Sequence, residues 1–217
     1  MTLGGRWIGG AAAILLLVVS SVGCGPKNPD YQSIWTTSAK TSTTTETPVP
    51  FSEYLESSGV SGEPVAPDKL TDLIVSIPTP PGWAKVDKPN IAPTTETIAK
   101  GDSFPTAMLM VFKLNGDFDP ADLAKHGNAD ASLADNFKLL DKSGATFHGF
   151  PSSMIEASYN LNGRRLHTYN RIVVPTGSAP DRQRYLVQLA VTSLAEQAAP
   201  DAADIQAIIH GFTVATK

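Results

Sequence analysis

The sequence predicts an α+β domain over residues 51–217, in which helices cover both faces of an antiparallel β-sheet as an α/β/α sandwich. Asn162-Gly163 separates two strand-like segments, and Asn-Gly favours a two-residue hairpin turn because both residues tolerate positive φ. Helical segments stand before, within and after the strands, which favours cover on both faces. The 217-residue chain has one cysteine, Cys24, so burial of apolar side chains has to stabilise the domain without a disulfide.

The first half of the domain contains one predicted helix and three predicted strands. A helix is expected over residues 51–56, since Phe51, Tyr54 and Leu55 share the spacing of one helix face after Pro50. A strand over 73–77 has to end at the prolines of 78–81, which lack a backbone donor. Further strands are expected over 94–100 and 106–114. The last is apolar on both faces, so both should be covered.

The second half begins with a predicted long helix. Asp119-Pro120 suits an N-cap followed by proline at the first helical position, and the helix should run to about Asn136, with an interruption near Gly127-Asn128 left open. Residues 137–140 are either a weak strand or the helix end. The remaining elements are an extended segment 145–150, a hairpin of 152–161 with 164–174, a strand 182–193, a helix 200–210 with Gly211 at its C-cap, and residues 212–214 as a short strand or packing segment.

The N-terminus has the pattern of a lipoprotein export signal. Arg6 is the one charge among the first ten residues, and residues 9–19 are apolar or glycine, too short a run to span a bilayer. Val22-Gly23-Cys24 fits a lipobox, although Ser21 stands where leucine is commoner. We expect a signal peptide over 1–23 and an acylated Cys24 at the extracytoplasmic face of the cell membrane. The alternatives are secretion, an uncleaved anchor, or a core helix ending in a buried cysteine.

Residues 24–50 are predicted to be the lipidated cysteine and a disordered tether. The segment is rich in Thr, Ser and Pro, and it has too few apolar residues to offset the entropy of ordering. As a coil it would reach roughly 30 Å on average, and about 80 Å if extended. Such composition in an exported chain also favours O-glycosylation.

Charge argues against nucleic acid as a partner. Loss of Arg6 with the signal peptide would leave 16 cations against 21 acids, whereas nucleic-acid binding needs a basic surface. The plasma membrane is therefore expected as a partner through the acyl chains. We predict no cofactor, because the chain lacks a phosphate-binding loop and a Cys-His pair.

One sheet face collects polar side chains. With Asn162-Gly163 as the turn, Glu156 lies opposite Tyr169, and one face also carries Arg165, His167 and Arg171. Arg184 could join them, in a register that the sequence leaves open. Such a face could hold an acidic ligand or partner. It could equally be a solvated or helix-covered surface with a Glu156–Arg171 ion pair.

Other candidate chemistry is weak, and we predict no catalytic residue, no metal site and no enzymatic activity. Asp122, His126 and Asp130 share a helix face, but two carboxylates and one histidine make a poor metal site. Ser152-Ser153 lacks the glycine pattern of a nucleophile elbow. The stripe of Met108, Met110 and Phe112 is either core or the lining of an acyl pocket.

The sequence resembles the mycobacterial LpqN/LpqT lipoprotein family. The resemblance lies in 24–27 (CGPK), the Thr-rich tether, 54–56 (YLE), 62–67 (GEPVAP), 75–83 (VSIPTPPGW), 149–154 (GFPSSM) and 163–168 (GRRLHT). It implies a Mog1/PsbP-like domain in a cell-envelope lipoprotein without enzymatic activity, and Cys24 as the functional position. We therefore expect a lipid-anchored protein that presents a binding domain to envelope or host proteins. The alternative is a carrier or chaperone of a small acyl or glycolipid ligand in envelope lipid export.

Overall fold

The computed structural model describes residues 48–217, so the predicted signal peptide, Cys24 and the tether up to residue 47 lie outside the described residues. The α-helices are α1 (Phe51–Ser57), α2 (Pro120–His126) and α3 (Ala202–Gly211). Short 3-10 helices cover Pro67–Lys69, Ala129–Leu133 and Ala195–Gln197. The strands are β1 (Ser61–Pro64), β2 (Leu73–Ser76), β3 (Ala84–Lys85), β4 (Glu96–Ala99), β5 (Thr106–Asn115), β6 (Lys138–Ser143), β7 (Ser152–Leu161), β8 (Arg164–Val173), β9 (Arg184–Leu194) and β10 (Thr213–Thr216).

The main sheet is antiparallel, with the strand order β3-β4-β5-β9-β8-β7-β6, and β1 pairs with the far end of β5. The small antiparallel sheet of β2 and β10 lies apart from it. In the hairpin of β7 and β8, Leu161 is opposite Arg164, and Asn162 and Gly163 have φ of 51° and 73°. The predicted hairpin and its register are confirmed.

Two apolar layers lie on opposite faces of the main sheet. On one face α3, β2 and β10 pack against alternate residues of β5, β8 and β9, with Phe212 and Ile208 fully buried. On the other face α1 and α2 pack against the intervening residues, including Ile172 and Leu186. β5 is buried on both faces along most of its length, as its continuous apolar run predicts. The predicted α/β/α sandwich is therefore confirmed.

The predicted long helix from Pro120 to Asn136 is wrong beyond His126, and the interruption at Gly127-Asn128 is confirmed. A Cβ on Gly127 would lie 2.8 Å from two carbons of Ile172, so the chain passes too close to the sheet for a larger side chain. Asn128 then hydrogen-bonds to Ser153 and Asn170 of the sheet. Tertiary contacts thus replace the next helical turn.

The structure decides the segments that the sequence left open. Residues 138–140 are the first three residues of β6, so the strand interpretation of 137–140 is confirmed, and residues 213–216 form β10. The expected extended segment 145–150 is instead a tight turn, in which Phe147 and Phe150 exchange both backbone hydrogen bonds around His148 and Gly149 at φ of 49° and 86°. Sequence patterns missed β1, which contains glycine and proline and gains its order by pairing with β5.

The chain enters the domain at α1, on the sheet face that α1 and α2 cover. Pro50 offers no capping side chain, and the Phe51 N–H donates instead to Asp130 Oδ1 at 2.8 Å. The side chains of Phe51 and Leu55 are buried. Asp130 therefore ties the start of α1 to the 3-10 helix Ala129–Leu133.

Replacing Asp130 should separate the effect of its hydrogen bond from the effect of its charge. Asp130→Ala removes the acceptor for Phe51 N–H and should lower the free energy of unfolding by about 1 kcal/mol. Burial raises the pKa of the Asp130 carboxyl, while the bond from Phe51 acts in the opposite direction. The folded state therefore disfavours the carboxylate, and this cost appears as pH rises from the unfolded pKa through the folded one.

Asp130→Asn keeps an acceptor without the charge. At a pH below the unfolded pKa of aspartate, the free energy of unfolding of this variant should equal that of the native chain. At neutral pH it should be larger than that of the native chain. Urea unfolding of both variants at acidic and neutral pH measures this difference. Equal destabilisation by Asn and Ala at neutral pH would show that the carboxylate itself stabilises α1.

Candidate functional site

The hairpin of β7 and β8 brings five predicted site residues to one face of the main sheet. We call this set the β7–β8 face: Glu156, Arg165, His167, Tyr169 and Arg171. Glu156 lies opposite Tyr169, as the hairpin count predicts. Tyr169 packs into the apolar layer of α3 and the small sheet, so the β7–β8 face lies on the opposite side of the main sheet from α1.

The predicted Glu156–Arg171 ion pair is wrong. Glu156 Oε1 lies 2.8 Å from His167 Nε2, its other diagonal neighbour. Both diagonals are within reach in an antiparallel pair, so the sequence alone could not choose between them. The choice follows from the other contacts of Arg171, which hold it away from Glu156.

Neutral groups hold the guanidinium of Arg171. Its Nε donates to the Tyr169 hydroxyl at 2.6 Å, and its Nη1 donates to Ser152 Oγ at 3.1 Å. The Phe147 ring centroid lies 4.8 Å from its Cζ, and Phe147 in turn stacks on the buried Phe212 with ring centroids 5.0 Å apart. Arg171 is thereby fixed by two hydroxyls and a cation–π contact.

Arg165 is also held by neutral acceptors, but both of its terminal nitrogens are hydrogen-bonded. Its Nη1 donates to the Asn136 carbonyl oxygen at 2.7 Å and to Asn160 Oδ1 at 3.2 Å, and its Nη2 donates to Ser158 Oγ at 2.6 Å. These bonds join β8 to β7 and to the residues that precede β6. We therefore assign Arg165 a structural role at this end of the sheet.

Neither arginine of the face is neutralised by an acid within residues 48–217. The ion pairs in this range join lysines or His167 to carboxylates. Within the β7–β8 face the acid is Glu156, which is hydrogen-bonded to His167, and Asp141 of β6 lies opposite Glu156 on the same side of the sheet. Arg171 Nη2 has no hydrogen-bond acceptor in the described part of the chain. The face thus keeps a fixed positive charge that an anionic group can approach, and a guanidinium binds carboxylate or phosphate well.

Arg184 does not join this face. It lies on the opposite face of β9, where its guanidinium stacks on Phe118 at 4.1 Å and donates to the carbonyl oxygens of Phe118 and Gly116. The side of the sheet on which Arg184 lies follows from the pairing of His167 with Ser193. Because these two residues share a face, odd-numbered residues of β9 lie on the β7–β8 face, and even-numbered ones such as Arg184 lie on the other.

Sequence reasoning missed three residues at the face. Ser152 belongs to the same alternation as Glu156 and could have been included. Phe147 lies in a turn, and only the folded chain brings it to Arg171. Ser193 lies opposite His167, with its hydroxyl unpaired among the described residues. The Ser193 side chain is only 1% exposed, so a substrate cannot reach it as a nucleophile.

The helical candidates for metal binding each have another partner. Tyr54 donates to Asp122 Oδ2 at 2.9 Å, and this bond is the main cause that lowers the pKa of Asp122. His126 stacks on the Tyr54 ring at 3.9 Å, and Asp130 accepts from the backbone of Phe51. Over residues 48–217, His, Cys, Asp and Glu form no group of three or more that could hold a metal ion.

Comparison with known proteins identifies the family. The family model described as "Probable lipoprotein LpqN" matches residues 47–215. The chain is 65% identical over 210 residues to putative lipoprotein LpqT of Mycobacterium tuberculosis (strain ATCC 25618 / H37Rv), covering 95% of this chain and 93% of the relative. It is 38% identical over 166 residues to the proline-rich 28 kDa antigen of the same strain, covering 75% of this chain and 53% of that protein.

A solved structure supports the fold. The crystal structure of LpqN, described as involved in cell envelope biogenesis of Mycobacterium tuberculosis, superposes with a TM-score of 0.64 at 21% identity, covering 75% of this chain and 95% of LpqN. At that identity the likeness concerns the fold alone. None of the helices in residues 48–217 has the length and apolar character needed to cross a membrane.

The family model and the LpqT relative both carry the name lipoprotein. The family model and the LpqT match each span most of the sequence, and they agree with the motifs that suggested the resemblance. The chain belongs to the LpqN/LpqT lipoprotein family.

Proposed function

We propose that this chain is a lipid-anchored, non-enzymatic binding protein that presents the β7–β8 face to an acidic surface on an envelope or host protein. In this proposal residues 1–23 are a signal peptide, and Cys24 carries the acyl chains at the extracytoplasmic face of the cell membrane. Residues 24–50 are the tether, and residues 51–217 are the binding domain.

The observation that carries the proposal is the arrangement of Arg171. Its guanidinium is held by the Tyr169 and Ser152 hydroxyls and by the Phe147 ring, and no carboxylate pairs with it in residues 48–217. A side chain fixed in advance loses little conformational entropy on binding. Glu156, the acid beside it, is hydrogen-bonded to His167 instead. An acidic partner therefore meets a cation that is already oriented.

The position of the face relative to the tether agrees with this proposal. The chain enters the domain at α1, whereas the β7–β8 face lies on the other side of the main sheet. A domain held through α1 can therefore turn this face away from the membrane. A tether also raises the local concentration of the domain beside other envelope proteins, so that a modest affinity suffices.

Quantitative affinity capture tests the role of Arg171. Membrane-anchored native chain, Arg171→Gln, Arg171→Lys and the control Arg164→Gln would be cross-linked in cells and compared by mass spectrometry. Arg164 is the matched control because it is exposed at the end of the same strand. We expect specific partners to fall at least about tenfold with Arg171→Gln, in line with the loss of a charge-assisted hydrogen bond.

Arg171→Lys should recover part of the binding, since it keeps the charge without the planar guanidinium. Arg164→Gln should leave the partner set unchanged. If the native chain captures the same proteins as Arg171→Gln, the β7–β8 face is not the binding surface.

The carrier function is a second candidate, and the observation that favours it is a buried hydroxyl without a partner within residues 48–217, on the opposite face of the sheet. Thr97, Thr168, Asn170, Gln188 and Thr192 are all buried there, and the Thr97 hydroxyl has no partner among the described residues. Met108 and Met110 lie beside these residues, where they pack into the layer beneath α1 and α2. Native mass spectrometry after purification without detergent tests this function. Absence of a co-purifying lipid would argue against it.

A further inference from the structure

We propose that a second surface of the domain, at the β6 edge of the sheet, rests on the lipid bilayer. Three of the five exposed large hydrophobic residues in the described part of the chain lie within residues 133–140, and we call them the edge patch: Leu133 in the 3-10 helix before β6, and Leu139 and Leu140 in β6. Their exposed fractions are 41%, 42% and 48%. A concentration of exposed leucines in one short segment is a feature of interaction surfaces, whereas single exposed apolar residues need no explanation.

The edge patch lies on the side of the domain where the tether enters. Asp130, whose carboxylate binds the N–H of Phe51, belongs to the same 3-10 helix as Leu133. Leu139 is opposite Ala157 and so lies on the sheet face that α1 and α2 cover. The Leu133 end of the patch therefore belongs to a segment tied to the first residue of α1, and an anchor that precedes α1 keeps that segment near the membrane.

The β6 edge is protected against pairing with another strand. A β-bulge interrupts its register between Leu139 and Asp141, and the carboxylate of Asp141 accepts from the N–H of Lys142 at 2.8 Å. Bulges and charged side chains are features that prevent strands from adding to an edge. Contact with a bilayer does not require backbone hydrogen bonds. The leucines can therefore contact lipid at an edge where another strand cannot pair.

The charges around the patch suit a bilayer interface. Lys138 and Lys142 flank the leucines and Asp141 lies between them, so the net charge is small. Long lysine side chains place their charge at the headgroups while the neighbouring leucines enter the acyl boundary. Because attraction to anionic lipid is then weak, apolar burial has to provide most of the binding.

This inference rests on the proposed anchor at Cys24. Three partly exposed leucines would bind a bilayer weakly by themselves, so that an excess of vesicles is needed to measure the binding, whereas a tethered domain has a high effective concentration at the surface. Contact of the edge patch with the bilayer would orient the domain. The sheet would then stand on its β6 edge, with the β7–β8 face turned to the side rather than toward the bilayer.

Vesicle binding by an unacylated chain tests the patch separately from the anchor. The chain from residue 24 with Cys24→Ser would be mixed with phosphatidylcholine vesicles, with and without phosphatidylglycerol, and sedimented. The variant combines Leu133→Ser, Leu139→Thr and Leu140→Thr. Ile74→Thr is the matched control, because Ile74 is 44% exposed in the small sheet on the opposite side.

We expect the triple variant to lower vesicle partitioning at least about tenfold, since burial of each leucine contributes free energy in proportion to its apolar area. Ile74→Thr should change it little. A second readout uses the absence of other cysteines. The emission of an environment-sensitive dye attached to Leu140→Cys should shift to shorter wavelength when vesicles are added. The emission of the same dye attached to Ile74→Cys should not shift.

Three results would overturn the inference: no vesicle binding by the Cys24→Ser chain, equal binding by the triple variant, or equal dye shifts at both positions. Self-association that the triple variant abolishes, without vesicle binding, would assign the patch to a second copy of the chain. None of these results depends on Arg171 or on acylation. Failure of the patch and failure of the proposed function are therefore distinguishable.

Discussion

Replacing Cys24 with alanine is expected to release the protein from the membrane into the soluble fraction. Each buried methylene of an acyl chain contributes about 0.8 kcal/mol, so two or more chains hold a protein durably where one chain holds it marginally. No helix of residues 48–217 can take over as a membrane span. The edge patch would leave at most weak, reversible binding, which washing removes.

Fractionation of cells and intact-mass analysis of the purified protein measure this result. The native chain should begin at Cys24 and carry the mass of its acyl chains. Ser21→Leu is the matched control, because it brings the sequence nearer to the commoner lipobox and should be processed at least as completely. A Cys24→Ala chain that still sediments with membranes, together with a native chain that begins at Met1, would contradict the proposed anchor.

Phe212→Ala is expected to cause the largest loss of stability, about 3–5 kcal/mol in the free energy of unfolding. Phe212 is 1% exposed and lies where α3 meets β10, within the apolar layer of the β7–β8 face. Removing its ring leaves a cavity beneath Phe147, which stacks on it. Since Phe147 supports the guanidinium of Arg171, the same change should also loosen Arg171.

Urea unfolding measures the loss of stability, and two further variants separate it from the effect on the face. Phe212→Leu fills most of the cavity and should cost less than half as much. Phe147→Ala alters a half-buried ring, so it should cost less stability than Phe212→Ala while it still removes the cation–π contact to Arg171. If Phe147→Ala left partner capture unchanged, the ring would serve only to pack the turn.

The arrangement of Arg171 and Arg165 explains why a protein with a net negative charge can keep two unpaired guanidiniums on one face. Backbone carbonyls, hydroxyls and aromatic rings satisfy parts of each group without neutralising it. Arg165 uses both terminal nitrogens to join strands, whereas Arg171 keeps one terminal nitrogen free in the described chain. The two residues looked equivalent in sequence, and their acceptors make them different.

Local patterns predicted much of this site. The alternation of β8 placed Arg165, His167, Tyr169 and Arg171 on one face, and the Asn162-Gly163 turn gave the partner of Glu156. Those patterns depend on neighbours in one hairpin. The partner of His167 in β9 depends on a separate strand pairing, which is why Arg184 was left open. Phe147 lies in the turn of residues 147–150. Counting residue pairs from the Asn162-Gly163 turn does not predict the direction of that turn, so it could not place Phe147 against Arg171.

By itself, the sequence determined the family, the α+β class, the lipoprotein pattern at Cys24 and the register of the β7–β8 hairpin. These properties follow from short motifs and from periodicity within single elements. Only the tertiary structure decided that α2 ends at His126, that Glu156 pairs with His167, and that Asp130 is bonded to the start of α1. Each of these depends on which distant segments pack together, because close packing at Gly127 and competing acceptors around Arg171 override the local preferences of the chain.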